Sequence, residues 1–150
     1  MSFDPLTENE PTASAPAPAA AAPSSAITAS RLKRQLVDQA IDAARKADWF
    51  AAAEINERIL EMGPDSAAEN RAAKAYWEQG ELGKAREHYQ SALAIDPTIG
   101  EAYANLAGIA WAFDHDLDKT ADLLEQATRL DPWNLEILGF ARDFARATGD

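Results

Sequence analysis

The sequence predicts an all-α solenoid with a disordered N-terminal arm, and three observations carry that prediction. Alanine, the strongest helix former, makes up much of a hydrophobic content of 47%, while Val, Ile and Thr are sparse. Between Ser66 and Pro97, small, aromatic and turn residues recur at set intervals, as Ala72-Ala73, Tyr76, Gly80, Ala85, Tyr89, Ala92 and Pro97. Weaker copies of this spacing stand on either side, and a repeat with neighbours reads as stacked units that bury a continuous core between them.

Residues 1–30 are rich in Pro, Ala, Ser and Thr and read as the disordered arm, a semi-extended tether. The short acidic and apolar segment from Phe3 to Leu6 has the composition of a docking motif, although an inert tail is the simpler reading. From Arg31 the pattern becomes helical, with Ser30 as N-cap and Leu32, Leu36, Ala40, Ala43 and Ala44 in one stripe. A turn around Lys46-Ala47-Asp48 leads to a second helix, with Trp49, Ala52, Ala53, Ile55, Ile59 and Leu60 facing inward, and Gly63-Pro64 ends it. Ser66 to Glu69 and Thr98 to Glu101 each have the spacing of a capping box. Gly80 is placed to end the third helix, Gly83 falls where a close crossing favours a residue without bulk, and Ala85 lets two helices touch. Tyr103, Leu106, Ala107 and Ala110 define the fifth helix, and Leu117, Leu123, Leu124, Ala127 and Leu130 the sixth. The link between them is one residue longer than its predecessor, and the extra residue falls within Phe113 to Leu117. After Asn134 as N-cap, a last helix carries Leu138, Ala141 and Ala145 and stops at Gly149.

Ala73, Tyr76, Ala85, Tyr89 and Pro97 stand at the places where the tetratricopeptide (TPR) motif carries a small residue, an aromatic, Ala, an aromatic and Pro. The chain therefore resembles the TPR family over about residues 31–149, and the resemblance implies a right-handed solenoid of helical hairpins. Glu69 stands where the motif has Trp, and Asn56 takes the aromatic place in the first unit. The resemblance implies a TPR domain over 31–150, with repeats at about 33–65, 66–99 and 100–134 and a capping helix at 135–148. It also implies that the first helix of each repeat lines a groove, through Arg34, Val37, Ile41 and Ala44, then Ala67, Asn70, Lys74 and Trp77, then Glu101, Ala104, Gly108 and Trp111. The expected function is a non-enzymatic scaffold that binds a peptide segment of a partner protein, contacted by Asn70, Lys74, Trp77, Asn105 and Trp111. Family members that clamp chaperone C-termini use Lys, Asn and Arg at places that here hold Val37, Ile41, Arg71, Glu101 and Asn105, so that role is disfavoured.

Several chemistries are excluded as expectations. The absence of Cys rules out disulfides, thiolate nucleophiles and Cys-ligated zinc. A net charge of −11, with Arg31, Lys33 and Arg34 the only local basic cluster, argues against nucleic acid. No apolar stretch is long enough to enter a membrane and no signal pattern opens the chain, so a cytoplasmic location is expected. His88 and His115 stand apart, with no Ser, Thr or acid in a catalytic arrangement, which leaves neither a catalytic site nor a cofactor site. Asp114, Asp116, Asp118, Asp122 and Glu125 follow a calcium-loop spacing, but Lys119 stands where the loop needs Gly, so no metal site is expected. Ile137, Leu138, Phe140, Ala141, Phe144 and Ala145 make an apolar stripe wider than one neighbour should cover. That stripe suggests the alternative function, a weak homodimer or self-associating module formed through the last helix.

Overall fold

Pro is tolerated at the first position of a helix, where its missing N–H has no partner to lose, and the first helix begins at Pro23. The computed structural model describes residues 23–149. The disordered arm expected over 1–30 therefore lies outside the described residues up to Ala22, and from Pro23 onward that stretch is helical. Ser30 sits inside the helix and does not cap it.

Among the described residues seven α-helices follow one another without a strand: α1 (Pro23–Arg45), α2 (Trp49–Glu61), α3 (Ser66–Glu78), α4 (Leu82–Ile95), α5 (Gly100–Ile109), α6 (Leu117–Leu130) and α7 (Leu135–Thr148). Each packs chiefly on its sequence neighbours, the contact pattern of a solenoid.

Aspartate and asparagine side chains start most of the helices. Asp48, Asp65, Asp116 and Asn134 accept backbone N–H groups of the first turns of α2, α3, α6 and α7. The two capping boxes expected at Ser66 and Thr98 do not form. Asp65 takes the capping position one residue before Ser66, and Thr98 instead donates its N–H and hydroxyl to Asp96 in a local turn ahead of α5. Gly80 does end α3, with a φ of +79° that suits glycine.

The core is built from alanine. Ala52 and Ala53 on α2, Ala72, Ala73 and Ala75 on α3, Ala85 and Ala92 on α4, Ala102 and Ala107 on α5, and Ala127 on α6 are all buried. Tyr89, Ile59 and Ile109 are the large apolar side chains buried completely among them. Four residues assigned to inward stripes are exposed: Leu32, Leu117, Leu130 and Leu138. On α7 the inward register is Ile137, Phe140, Ala141 and Phe144. A Cβ at Gly83 would meet nothing, so the close approach expected there is absent.

The extra residue between α5 and α6 is absorbed by a π-helical turn at Ala110–Asp114, closed by His115 in the left-handed region and by its N–H bonded to the Ala110 carbonyl. Asp114 there accepts from Arg86 of α4 at 2.8 Å, and Asp116 caps α6. Those two carboxylates of the calcium-like spacing are thus engaged within the fold.

Asp65 yields a test of the first junction. Its carboxylate accepts the Ala68 N–H at 2.8 Å and pairs with Lys33 of α1 at 2.8 Å. Burial pushes its carboxyl up, but the Lys33 ammonium, the Ala68 N–H and Arg71 together outweigh burial and hold it below its ordinary value of 3.8. The folded value lies below the unfolded one, so this contribution is present above pH 3.8 and is lost as pH falls through the folded value. Asp65→Asn, which keeps a capping oxygen but removes the charge, should cost up to about 1 kcal/mol at neutral pH, with the gap to the parent closing in acid. Urea unfolding at pH 7 and pH 3 checks this, and a gap independent of pH would show that the charge contributes nothing.

Candidate peptide-binding groove

The odd-numbered helices share one face, and two cavities lie along it. The first, of about 330 Å³, sits over the α1–α2–α3 junction. Ala40, Ile41 and Ala44 of α1 and Trp49 and Ala52 of α2 give it apolar walls, and Arg45, Arg71 and Lys74 bring positive charge to it. The second, of about 390 Å³, lies between α3, α5 and α7. Lys74 and Trp77 line it from α3, Glu101, Ala104, Asn105 and Gly108 from α5, and Asn134, Glu136, Ile137 and Phe140 from the start of α7. Lys74 belongs to both.

Of the five residues expected to contact a peptide, Lys74, Trp77 and Asn105 come together in the second cavity, while Asn70 and Trp111 line neither. Trp111 stacks on Phe140 at 5.4 Å between ring centroids and meets Phe144 edge-on at 5.6 Å. Its ring area holds α7 to the π-helical turn that follows α5, so Trp111 is a packing residue and not a free anchor. The same contacts correct the reading of α7: Phe140 and Phe144 are covered by Trp111 and do not form an open stripe. Trp77 is half-buried and lies across α5, where a Cβ at Gly108 would stand 3.1 Å from its ring. Glycine at that position lets the indole form a wall of the cavity.

Asn70 Oδ1 and Asn105 Nδ2 are buried and have no hydrogen-bond partner. A buried amide atom left unpaired costs on the order of 1–3 kcal/mol, and of these two residues Asn105 alone lines a cavity.

A polar contact under the groove was not legible in the sequence. Asn56, expected to be a degenerate substitute for an aromatic, is almost fully buried. Its Nδ2 donates to the Ala52 carbonyl at 2.8 Å, and its Oδ1 accepts from Arg71 Nε at 3.0 Å. Burial pushes the Arg71 guanidinium down from its ordinary value, with Asp65 opposing that shift. This bond fixes Arg71 beside the first cavity. Away from the groove, His88 on α4 holds carboxylates of two other helices, Glu69 Oε2 from Nδ1 at 2.6 Å and Glu57 Oε1 from Nε2 at 3.0 Å. Tyr76 stacks on the His88 ring and donates to Glu57 at 3.0 Å. Burial, and then the Glu57 carboxylate, push its phenol up to about 12. His88 is therefore a clasp between α2, α3 and α4.

Stacked helical hairpins with an open groove define a class of repeat scaffolds. Residues 73–111 match a family model described as TPR repeat, so that stretch carries the repeat. No curated protein matches the chain in sequence. Solved structures show the fold. The second TPR domain of human RPAP3, in complex with an HSP70 peptide, is 15% identical, with 77% of this chain and 97% of that one covered at a TM-score of 0.68. The Arabidopsis OM64 TPR domain is 15% identical, with coverages of 77% and 96% at 0.70. An O-GlcNAc transferase from Thermobaculum terrenum is 22% identical and covers 78% of this chain, but only 22% of that longer chain, at 0.72. Among the described residues no helix is long and apolar enough to cross a membrane.

The packing separates the two tryptophans. Trp111→Ala should destabilise by about 3 kcal/mol, because it empties the contact on which α7 rests, whereas Trp77→Ala should cost clearly less. Thermal melting of both variants checks the order, and equal losses would show that Trp77 is as much a part of the core as Trp111.

Proposed function

We propose that this protein is a non-enzymatic interaction scaffold whose groove holds an extended segment of another protein. The observation that carries this reading is the second cavity, where Lys74, Trp77 and Asn105 meet and Asn105 Nδ2 has no partner. A bound backbone carbonyl accepts from Asn105, while Lys74 meets an acidic group and Trp77 gives an apolar wall. That a TPR domain of the same fold is in complex with a peptide supports the reading. Glu101 lines the second cavity and would repel a terminal carboxylate, which disfavours the chaperone clamp here as well.

The test places a photo-crosslinking amino acid at Lys74 or Ala104, and at exposed Phe50 of α2 as control, and identifies crosslinked peptides from cell extract. Groove positions should capture a shared segment that Phe50 does not, and Asn105→Ala should weaken its binding about tenfold, the loss of one satisfied buried bond. Identical captures from all three positions, or unchanged binding by the Asn105 variant, would refute the groove reading.

A second reading, self-association through the C-terminal end, is favoured by Trp133 and Leu135, which are 86% and 83% exposed, with Leu138 exposed beside them. Sedimentation over a concentration series should show a dimer that Leu135→Glu with Leu138→Glu abolishes. A constant monomer mass for the parent would exclude it.

A further inference from the structure

The first cavity and the face of α1 leading to it are basic, in a chain with a net charge of −11. Arg31 and Arg34 line a shallow surface with Ala26 and Ile27 near the start of α1. Farther along, Arg45, Arg71 and Lys74 surround the apolar walls formed by Ile41, Ala44 and Trp49. Asp38 is an acidic residue on the same side of α1, and Asp42 nearby is paired with Lys46. Arg31, Arg34, Arg45 and Lys74 form no ion pair among the described residues, whereas Lys33, Lys46, Arg86 and Arg129 all do.

The complementary chemistry stands in the same chain. The segment Ser2 to Glu10 reads SFDPLTENE, with Asp4, Glu8 and Glu10 as its charges, no Lys or Arg, and Phe3 and Leu6 as its apolar residues. We propose that this acidic and apolar segment is an intramolecular ligand of the first cavity, with Phe3 or Leu6 against its apolar walls and the carboxylates on Arg45, Arg71 and Lys74. Length permits it. From Pro23 to Ile41 along α1 is about 27 Å at the helical rise, and the stretch between Glu10 and Pro23 can span about 40 Å. A covalent tether of this kind holds its end at roughly millimolar local concentration, enough for a weak contact to compete with a free peptide. Occupancy of the α1–α3 half would screen Lys74, which also lines the second cavity, so a partner would displace the segment to use the whole groove. The failure of this inference is distinguishable from failure of partner binding, because the α3–α5–α7 half does not depend on the segment.

The absence of Cys in the full chain makes the test direct. A nitroxide spin label on Thr12→Cys is read by amide spectra, using Ala40 to Arg45 and the Trp49 indole, with Arg129 and Ala145 at the far end of the stack as controls. In the parent, the α1 amides and the indole should lose most of their intensity while the controls keep theirs. Salt at 1 M, where the screening length falls to about 3 Å, should restore them. Arg45→Glu with Lys74→Glu, both at exposed positions, should also restore them, and adding Asp4→Lys with Glu8→Lys should re-establish the loss. Intensities unchanged in the parent, an equal loss at Arg129 and Ala145, or indifference to the charge swaps would each overturn the proposal. So would a loss seen only between labelled and isotope-enriched molecules in a mixture, which would assign the cavity to a second copy.

Discussion

Close helix crossing is the constraint on which this structure depends. Helices packed with axes about 8–10 Å apart tolerate little beyond a methyl group at the point of contact. Ala72, Ala73 and Ala75 let α3 lie between α2 and α4, and Ala85, Ala102, Ala107 and Ala127 repeat the arrangement along the stack. A larger side chain at such a position would cost about 1–3 kcal/mol through overpacking. With the crossings reserved for alanine, large side chains fill the spaces between crossings or move to the margins. Tyr89 occupies one interior space, while Trp49, Trp77 and Trp111 are only partly buried.

Alanine contacts are nearly featureless, so polar bonds supply the specificity of each junction. Asn56 and Arg71 join α2 to α3, and His88 with Glu57 and Glu69 joins α2, α3 and α4. Arg86 and Asp114 tie α4 to the π-helical turn. Each ring nitrogen of His88 lies within hydrogen-bond distance of a carboxylate, so one side chain links three helices. The far end of the stack is held differently, by the aromatic packing of Trp111 with Phe140 and Phe144.

The groove follows from this division of labour. With contacts between sequence neighbours filled by alanine, the groove-side surfaces of the odd-numbered helices remain open to a ligand. Its two halves differ in charge: Arg45 and Arg71 line one, Glu101 and Glu136 the other, and Lys74 lies between them.

Local chemistry made the helical solenoid legible in the sequence. Alanine content, the spacing of small residues and aromatics from Ala73 to Tyr89, the stop at Gly80 and the cap at Asn134 act within a few residues of one another. The one-residue excess after α5 was readable from spacing, although its form as a π-helical turn was not. Of the candidate site, the sequence gathered Lys74, Trp77 and Asn105 by helical register. Register names the face a residue occupies, but not what crosses that face. The tertiary structure alone decided that Trp111 is covered by α7, because Phe140 and Phe144 approach it from a helix more than twenty residues away. It decided likewise that Asn56 supports Arg71, and that Arg45, Arg71 and Lys74 share one cavity. Those facts are distances between helices, and they exist only once the alanine crossings have set how closely the helices stack.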